Sequence, residues 1–272
     1  MKLACQEGMT PGSTLQEKLD NLARFGYEGI EFWGSQFVDT ENGGMRKERV
    51  AEVRRLTQNH PVKPSTICAG YRGALLDADR RERERAVQDI ESLLYAAGDI
   101  GATGVIVVPI FGGARISDLT PYATAVELET ELLCKLLEPL SEVAQKAGSY
   151  ILLEPLNRYE THYMNRLEQA VSICRRVGGS HLKLMADFFH MNIEERDIPE
   201  ALRSAKDYLA HVHLADSTRL LPGYGHTDFR SGFAVLKEIG YTGYMALECG
   251  MPGDPHEELP KCAQYLRAQM SG

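Results

Sequence analysis

The chain alternates short apolar runs with amphipathic segments along its whole length. The apolar runs are rich in branched residues, and in the intervening segments apolar residues recur with a helical period. The predicted strands cover residues 3–5, 27–33, 64–69, 104–109, 150–156, 182–187, 209–215 and 244–249. The average unit is about 34 residues long, which fits one strand and one helix of a repeating β/α unit.

This pattern predicts a (β/α)8 TIM barrel that occupies residues 1–272 as a single domain. The strands are not joined by hairpin turns, as expected of buried parallel strands. A doubly wound sheet is the alternative, but Gly8 and Gly12 after the first strand do not form the glycine fingerprint of that fold. Ser13 and Gln16 resemble a capping box at the start of the first helix.

Composition narrows the classes of partner. The formal net charge is −8, which argues against a nucleic-acid-binding surface. The six cysteines are scattered singly, without a CxxC pair, so neither a zinc knuckle nor a redox motif is indicated. No segment is apolar for long enough to span a membrane. We therefore expect a cytoplasmic protein with reduced thiols, no membrane partner and no nucleic acid partner.

Four consecutive predicted strands end in an acid or an imidazole. These residues are Glu154, Asp187, His213 and Glu248. The carboxyl ends of barrel strands converge on one mouth, so we expect the four side chains to meet there. Three carboxylates and one imidazole suit a divalent ion such as Mn²⁺, Mg²⁺ or Co²⁺ better than a closed structural zinc site.

Three further residues near these strand ends are candidates for supporting roles. His211 lies two residues before His213 and is expected one layer deeper, as a core histidine or as support for a ligand. His190 follows Asp187 and is expected to line the mouth. Arg219, on the loop after the seventh strand, is either a surface cation or a donor to substrate oxygens.

The remaining candidates lie on rim loops. His226 belongs to the glycine-rich segment PGYGH. It is expected either to contact substrate or to lie on the rim loop without such a contact. Trp33 and Phe111 follow the second and fourth strands. They are expected either to wall a sugar or to pack against the protein.

The segments LLEPLNRYE, MADFFHMNIEE, HVHLADSTRLLPGYGHTDF and YMALECG resemble the xylose isomerase-like TIM barrel superfamily of sugar phosphate isomerases and epimerases. Within it they are closest to the ketose 3-epimerase branch, the D-tagatose and D-psicose 3-epimerases. The resemblance implies that Glu154, Asp187, His213 and Glu248 bind the metal and that Glu154 and Glu248 also form the catalytic acid–base pair. The resemblance further assigns substrate binding to three residues, Glu160, His190 and Arg219.

These assignments predict an isomerase that inverts C3 of a ketose through an enediolate. We expect one divalent ion, with Mn²⁺ first and Mg²⁺, Co²⁺ or Zn²⁺ as alternatives, and a homodimer or homotetramer. An aldose–ketose or hydroxypyruvate-type isomerase, a dehydratase or a lyase on the same scaffold are the competing enzymes. A sugar-binding barrel with a vestigial site is the non-enzymatic alternative.

Overall fold

The computed structural model describes residues 1–39 and 41–271, and these form a closed barrel of parallel strands. The strands are β1 (Lys2–Gln6), β2 (Gly29–Trp33), β3 (Lys63–Cys68), β4 (Gly104–Val107), β5 (Tyr150–Leu153), β6 (Leu182–Asp187), β7 (Leu209–Leu214) and β8 (Tyr244–Leu247). Each strand pairs with its neighbour in sequence, and β1 pairs with β8 to close the ring. The predicted TIM barrel is confirmed.

Helices follow the strands and cover the outside of the barrel. They are α1 (Leu15–Phe25), α2 (Lys47–Thr57), α3 (Arg80–Ile100), α4 (Ala125–Ala147), α5 (Leu167–Val177), α6 (Phe188–Glu194), α7 (Ile198–Ser204), α8 (Phe229–Glu238) and α9 (Pro255–Ser271). The short α6 was not expected from the sequence. It begins directly after β6 because the Asp187 carboxylate accepts a hydrogen bond from the Phe189 N–H at 2.7 Å and caps the helix.

The capping box of α1 lies one residue later than predicted. Thr14, not Ser13, is the N-cap residue, and its hydroxyl accepts from the Glu17 N–H at 3.2 Å. The Glu17 carboxylate in turn accepts from the Thr14 N–H at 3.3 Å. The predicted motif was wrong by one residue because two adjacent hydroxyl residues, Ser13 and Thr14, precede this helix and either type can cap it.

Successive side chains of a strand point alternately outward and inward, and they contribute to two separate apolar regions. Leu153, Val212 and Leu247 belong to the large core between the strands and the helices. A smaller cluster fills the barrel interior and consists of Cys68, Ile106, Leu152 and Met185. Glu154, His213 and Glu248 neighbour outward-facing residues in sequence, so their side chains point inward, above this inner cluster. No helix within the described residues is long and apolar enough to cross a membrane.

Candidate metal centre and active site

The four strand-end residues come together at the carboxyl end of the barrel. Glu154, Asp187, His213 and Glu248 each offer a ligand atom, and these atoms all lie within 4.8 Å of one another. Strand register explains the meeting, because Asp187 of β6 pairs with His213 of β7. Glu154 and Glu248 immediately follow the last residues of β5 and β8. The predicted proximity is therefore present in the structure, while metal binding itself stays a prediction.

The donor set fits a divalent ion. His213 Nδ1 lies 3.3 Å from Glu248 Oε2, 3.7 Å from Glu154 Oε1 and 3.9 Å from Asp187 Oδ2. Among the described residues, neither His213 Nδ1 nor Glu154 Oε1 has a hydrogen-bond partner, although both atoms are buried. Buried polar atoms without partners are costly, and coordination to a cation would satisfy both.

The protonation equilibria of these groups differ. Burial raises the pKa of Glu154 well above its usual value, and the nearby carboxylates of Glu248 and Asp187 add to this against the opposing effect of His213. Burial also raises the pKa of Asp187, but Arg219 and His190 outweigh it and bring the pKa to about 2. Crowding of like charges thus penalises full ionisation, as expected of a site that a cation would stabilise.

Arg219 is part of the site rather than a surface cation. Its guanidinium donates to Asp187 Oδ2 at 2.7 Å and to Glu248 Oε2 at 2.5 Å. It also lies over the Phe189 ring, 4.6 Å from the centroid. The Arg219 backbone has a φ of 58°, in the left-handed region that a side chain rarely adopts. This strained conformation at a site residue is consistent with a functional role.

A buried acid holds the loop that carries Arg219. The Asp216 carboxylate accepts from the backbone N–H groups of Ser217 at 2.8 Å, Gly223 at 2.8 Å and Thr227 at 3.0 Å. The Asp216 carbonyl also accepts from the Arg219 N–H at 2.8 Å. Burial raises the pKa of Asp216, but these backbone donors outweigh it and lower the pKa. The loop after β7 is therefore fixed from within.

His190 is buried on α6, beside the acids. Its Nδ1 accepts from the Asn157 N–H at 3.2 Å, so the proton of the neutral ring lies on Nε2. Nε2 is 3.6 Å from Asp187 Oδ2. Burial lowers the pKa of His190 and favours this neutral form. Glu160 lies at the edge of the same group, where its Oε1 accepts from Asn157 Nδ2 at 2.8 Å and its side chain is 42% exposed.

The other predicted site residues are more exposed. His226 lies on the loop after β7, with Nδ1 3.0 Å from Ser217 Oγ. Trp33, at the end of β2, is 38% exposed, and Phe111 is 54% exposed. Their roles in substrate binding stay predictions.

Three polar residues that the sequence did not single out, Gln6, Glu31 and Thr66, lie beneath the site. Glu31 is fully buried in β2, and its Oε1 accepts from Gln6 Nε2 at 3.0 Å. Its Oε2 accepts from Thr66 Oγ1 at 2.5 Å and also lies 3.0 Å from Nε2 of both His211 and His213. Burial raises the pKa of Glu31, but the two histidines outweigh it and lower the pKa.

A signal for Glu31 was present in the sequence. Glu31 stands between Ile30 and Phe32, which face outward into the main core, so alternation alone points its side chain inward. His211, expected as a core histidine or as support for a ligand, is fully buried and its Nε2 lies 3.0 Å from Glu31 Oε2, while its supporting role stays a prediction.

Comparison with known proteins agrees with this architecture. A family model described as xylose isomerase-like TIM barrel matches residues 19–269. The 3-dehydro-D-guloside 4-epimerase of Escherichia coli (strain K12) is 32% identical over 250 residues, covering 91% of this chain and 92% of that protein. The D-psicose 3-epimerase of Agrobacterium fabrum is 36% identical over 233 residues, covering 85% of this chain and 77% of that protein.

Solved structures give the same result. The crystal structure of 3-keto-D-glucoside 4-epimerase from E. coli in its apo form superposes with a TM-score of 0.87 at 29% identity, covering 98% of this chain and 99% of the other. The D-psicose 3-epimerase of Clostridium cellulolyticum H10, solved with D-tagatose, gives a TM-score of 0.82 at 20% identity, a likeness of fold. The expected resemblance to ketose 3-epimerases and the isomerase class are confirmed. The chain belongs to the xylose isomerase-like TIM barrel family.

Proposed function

We propose that this protein is a metal-dependent epimerase that inverts C3 of a ketose. The arrangement of the two glutamates carries the proposal. Glu154 and Glu248 extend from β5 and β8, and the strands of Asp187 and His213 lie between them in the ring. Two carboxylates that approach a common centre from separated strands can serve opposite faces of one substrate carbon. Inversion requires such a pair, since one proton leaves one face and another arrives on the other.

The four residues would hold the ion, and the chain supplies the proton transfers. A divalent ion bound there would act as a Lewis acid and stabilise the negative charge that develops on the substrate oxygens. Glu248 Oε1 accepts from Gln6 Nε2 at 2.9 Å, which leaves Oε2 directed toward the centre. Glu154 Oε1 is buried at the same centre. One carboxylate removes the C3 proton, and the other donates a proton from the opposite side.

His190 and Arg219 are the proposed donors to substrate oxygens. In neutral His190 the Nε2–H points toward the acid cluster, because Nδ1 is held by Asn157. The Arg219 guanidinium contacts Asp187 and Glu248, two acids of the same cluster. Donors fixed by the protein before substrate arrives stabilise developing negative charge without reorganisation.

A second candidate is inversion at C4 of a glycoside that carries a ketone at C3. The E. coli proteins named 3-dehydro-D-guloside 4-epimerase and 3-keto-D-glucoside 4-epimerase each align over nearly the full length of both chains. The chemistry is equivalent, since C4 is adjacent to the C3 carbonyl and its proton is acidified in the same way. The same two glutamates would serve both reactions.

Incubation with candidate substrates in D₂O tests the proposal. The panel comprises free ketoses such as D-fructose and D-tagatose, phosphorylated ketoses and 3-keto glycosides, each with the Mn²⁺-loaded protein. For a ketose we expect deuterium at C3 together with the C3 epimer, both read by NMR. For a 3-keto glycoside, deuterium at C4 and the C4 epimer would support the second candidate.

Other outcomes of this experiment would redirect the assignment. Deuterium at C1 or C2 with an aldose product, and no change at C3 or C4, would replace the epimerase by an aldose–ketose isomerase. Loss of water or of an aglycone would indicate a dehydratase or a lyase. Absence of both exchange and product across the panel would contradict the proposed function.

Replacing Arg219 by alanine is expected to weaken substrate use while one ion per chain is retained. Loss of a charged hydrogen bond to a buried partner costs about 1.5–3 kcal/mol, or roughly 10- to 150-fold in kcat/KM. Arg219→Lys is the matched control, because it keeps the charge and loses the bidentate fork. Unchanged kinetics in Arg219→Ala would remove the residue from the substrate site.

Three finer assignments belong to the same proposal. Mn²⁺ is the proposed ion, to be compared with Mg²⁺, Co²⁺ and Zn²⁺ by elemental analysis and reconstitution. A dimer or tetramer is the proposed assembly, to be measured by light scattering. A cytoplasmic location is proposed from the thiol chemistry, since all six cysteines are free.

A further inference from the structure

A buried carboxylate lies directly beneath the proposed metal site. Glu31 Oε2 is 3.0 Å from His211 Nε2 and 3.0 Å from His213 Nε2, and Thr66 Oγ1 donates to the same oxygen. Since an ionised carboxylate only accepts hydrogen bonds, both ring nitrogens that face it are donors. Gln6 donates to the other oxygen, Oε1. Glu31 is therefore satisfied by four protein donors and does not require an ion of its own.

The backbone departs from regular pairing to build this arrangement. Two shifts of register interrupt strand pairing in the described part of the barrel. One lies between Ile30 and Phe32 of β2, on either side of Glu31. The other lies between Leu184 and Met185 of β6, and Met185 is the residue that pairs with His211. Both shifts therefore lie next to Glu31 or to His211, which contacts Glu31. Such departures from regular pairing redirect side chains and are frequent next to active sites, so they support a role beyond packing.

The first effect of Glu31 is on His213. Because the His213 Nε2–H donates to Glu31, the ring is held with Nδ1 toward Glu248, Glu154 and Asp187. A histidine ligand needs its lone pair on the nitrogen that faces the ion. A carboxylate on the opposite nitrogen fixes both the ring orientation and the tautomer that provide it.

The second effect runs through Gln6 to Glu248. The Gln6 amide donates one proton to Glu31 Oε1 at 3.0 Å and the other to Glu248 Oε1 at 2.9 Å. Strand register sets this up, because Gln6 of β1 pairs with Glu31 of β2. Glu248 thereby keeps Oε1 in a fixed hydrogen bond and presents Oε2 to the centre. Glu31 thus orients Nδ1 of His213 directly and Oε2 of Glu248 through Gln6.

We propose that Glu31 is a positioning residue that orients His213 directly and Glu248 through Gln6, and so sets the affinity and geometry of the metal site. This inference rests on the proposed metal centre. Loss of partners that orient metal ligands lowers metal affinity by about 10- to 100-fold, although such partners do not touch the ion.

The test compares Glu31→Gln with the unmodified protein and with a matched control, Glu129→Gln. Glu129 is also fully buried and paired with a histidine, with Oε2 2.6 Å from His162 Nε2, but it lies on α4, outside the barrel interior. Mn²⁺ affinity is measured by calorimetry, and ligand geometry by the visible absorption of the Co²⁺ form. We expect Glu31→Gln to bind Mn²⁺ about 10- to 100-fold more weakly and to shift the Co²⁺ bands, while Glu129→Gln changes neither.

Each outcome separates this inference from the proposed function. If the unmodified protein binds no ion, the proposed metal centre fails. If it binds one ion and Glu31→Gln binds with equal affinity and an unchanged Co²⁺ spectrum, only the positioning role of Glu31 is overturned. Equal weakening in Glu31→Gln and Glu129→Gln would also overturn it, because the effect would then follow from loss of any buried carboxylate.

A second variant decides the matter if Glu31→Gln does not fold, as judged by circular dichroism. Gln6→Met has a similar volume and removes the donor that joins Glu31 to Glu248. We expect a shifted Co²⁺ spectrum in this variant, because Glu248 Oε1 loses its hydrogen bond from Gln6. An unchanged spectrum would contradict the proposal.

Discussion

Replacing either Glu154 or Glu248 by glutamine is expected to lower kcat for epimerisation by about 10²- to 10⁴-fold, the range that a general acid or base contributes. Glutamine keeps the length of the side chain and one oxygen, but it neither accepts nor donates the transferred proton. Inversion uses both faces of the substrate carbon, so each single variant removes one of the two proton transfers that it requires. The rate of epimer formation, measured with saturating metal, gives the effect.

Isotope exchange distinguishes the two variants. In D₂O one of them is expected to incorporate deuterium into unconverted substrate, because a single base suffices for exchange on its own face. The Glu129→Gln variant serves as a control, since it alters a buried carboxylate outside the site. Near-normal epimerisation in either Glu154→Gln or Glu248→Gln would show that inversion does not need both carboxylates and would contradict the two-base mechanism.

Replacing Asp187 by alanine is expected to abolish stoichiometric metal binding. Asp187 is buried at the cluster and accepts from Arg219. Loss of a ligand should exceed the 10- to 100-fold effect of losing an orienting partner, so we expect affinity to fall by at least about 100-fold. Elemental analysis after reconstitution should give one ion per chain for the unmodified protein and almost none for Asp187→Ala.

Asp187→Asn is the matched control for this experiment. Asparagine retains one oxygen and can still cap α6 at the Phe189 N–H, as Asp187 does. When the single asparagine oxygen caps the helix, an NH₂ group replaces Oδ2, the oxygen that faces the cluster, so loss of metal in both variants would locate the effect at the ligand oxygen. Restored metal binding in Asp187→Asn, combined with its loss in Asp187→Ala, would instead locate the effect in the start of the helix. Full metal content in both variants would remove Asp187 from the metal site.

Much of this architecture is predictable because it is encoded by local periodicity. Short apolar runs and amphipathic segments with a period of 3.6 alternate along the chain, and this regularity predicts the barrel. The convergence of Glu154, Asp187, His213 and Glu248 followed from the fold, since strand ends in a closed parallel barrel share one mouth. The positions of the strand ends alone predict that these four side chains approach one another, whatever the conformation of the loops.

Partnerships between distant residues were not predictable in the same way. Glu31 lies 182 residues from His213, and nothing in the sequence around Glu31 identifies that partner. Arg219 was ambiguous between surface and site, because its burial depends on the loop that Asp216 holds and on the ring of Phe189. The helix α6 was missed since its cap, Asp187, was interpreted only as a ligand.

The pairing of β1 with β8 brings the first and last strands together beside the candidate metal centre. All four candidate ligands follow residue 150, yet Gln6, which contacts Glu248 across 242 positions of sequence, belongs to the first strand. The hydrogen bond from Gln6 to Glu248 joins residues of two strands that become neighbours only when the barrel closes. We therefore expect the proposed ion to bind tightly only to the closed barrel, so metal affinity would report whether the first and last strands are paired.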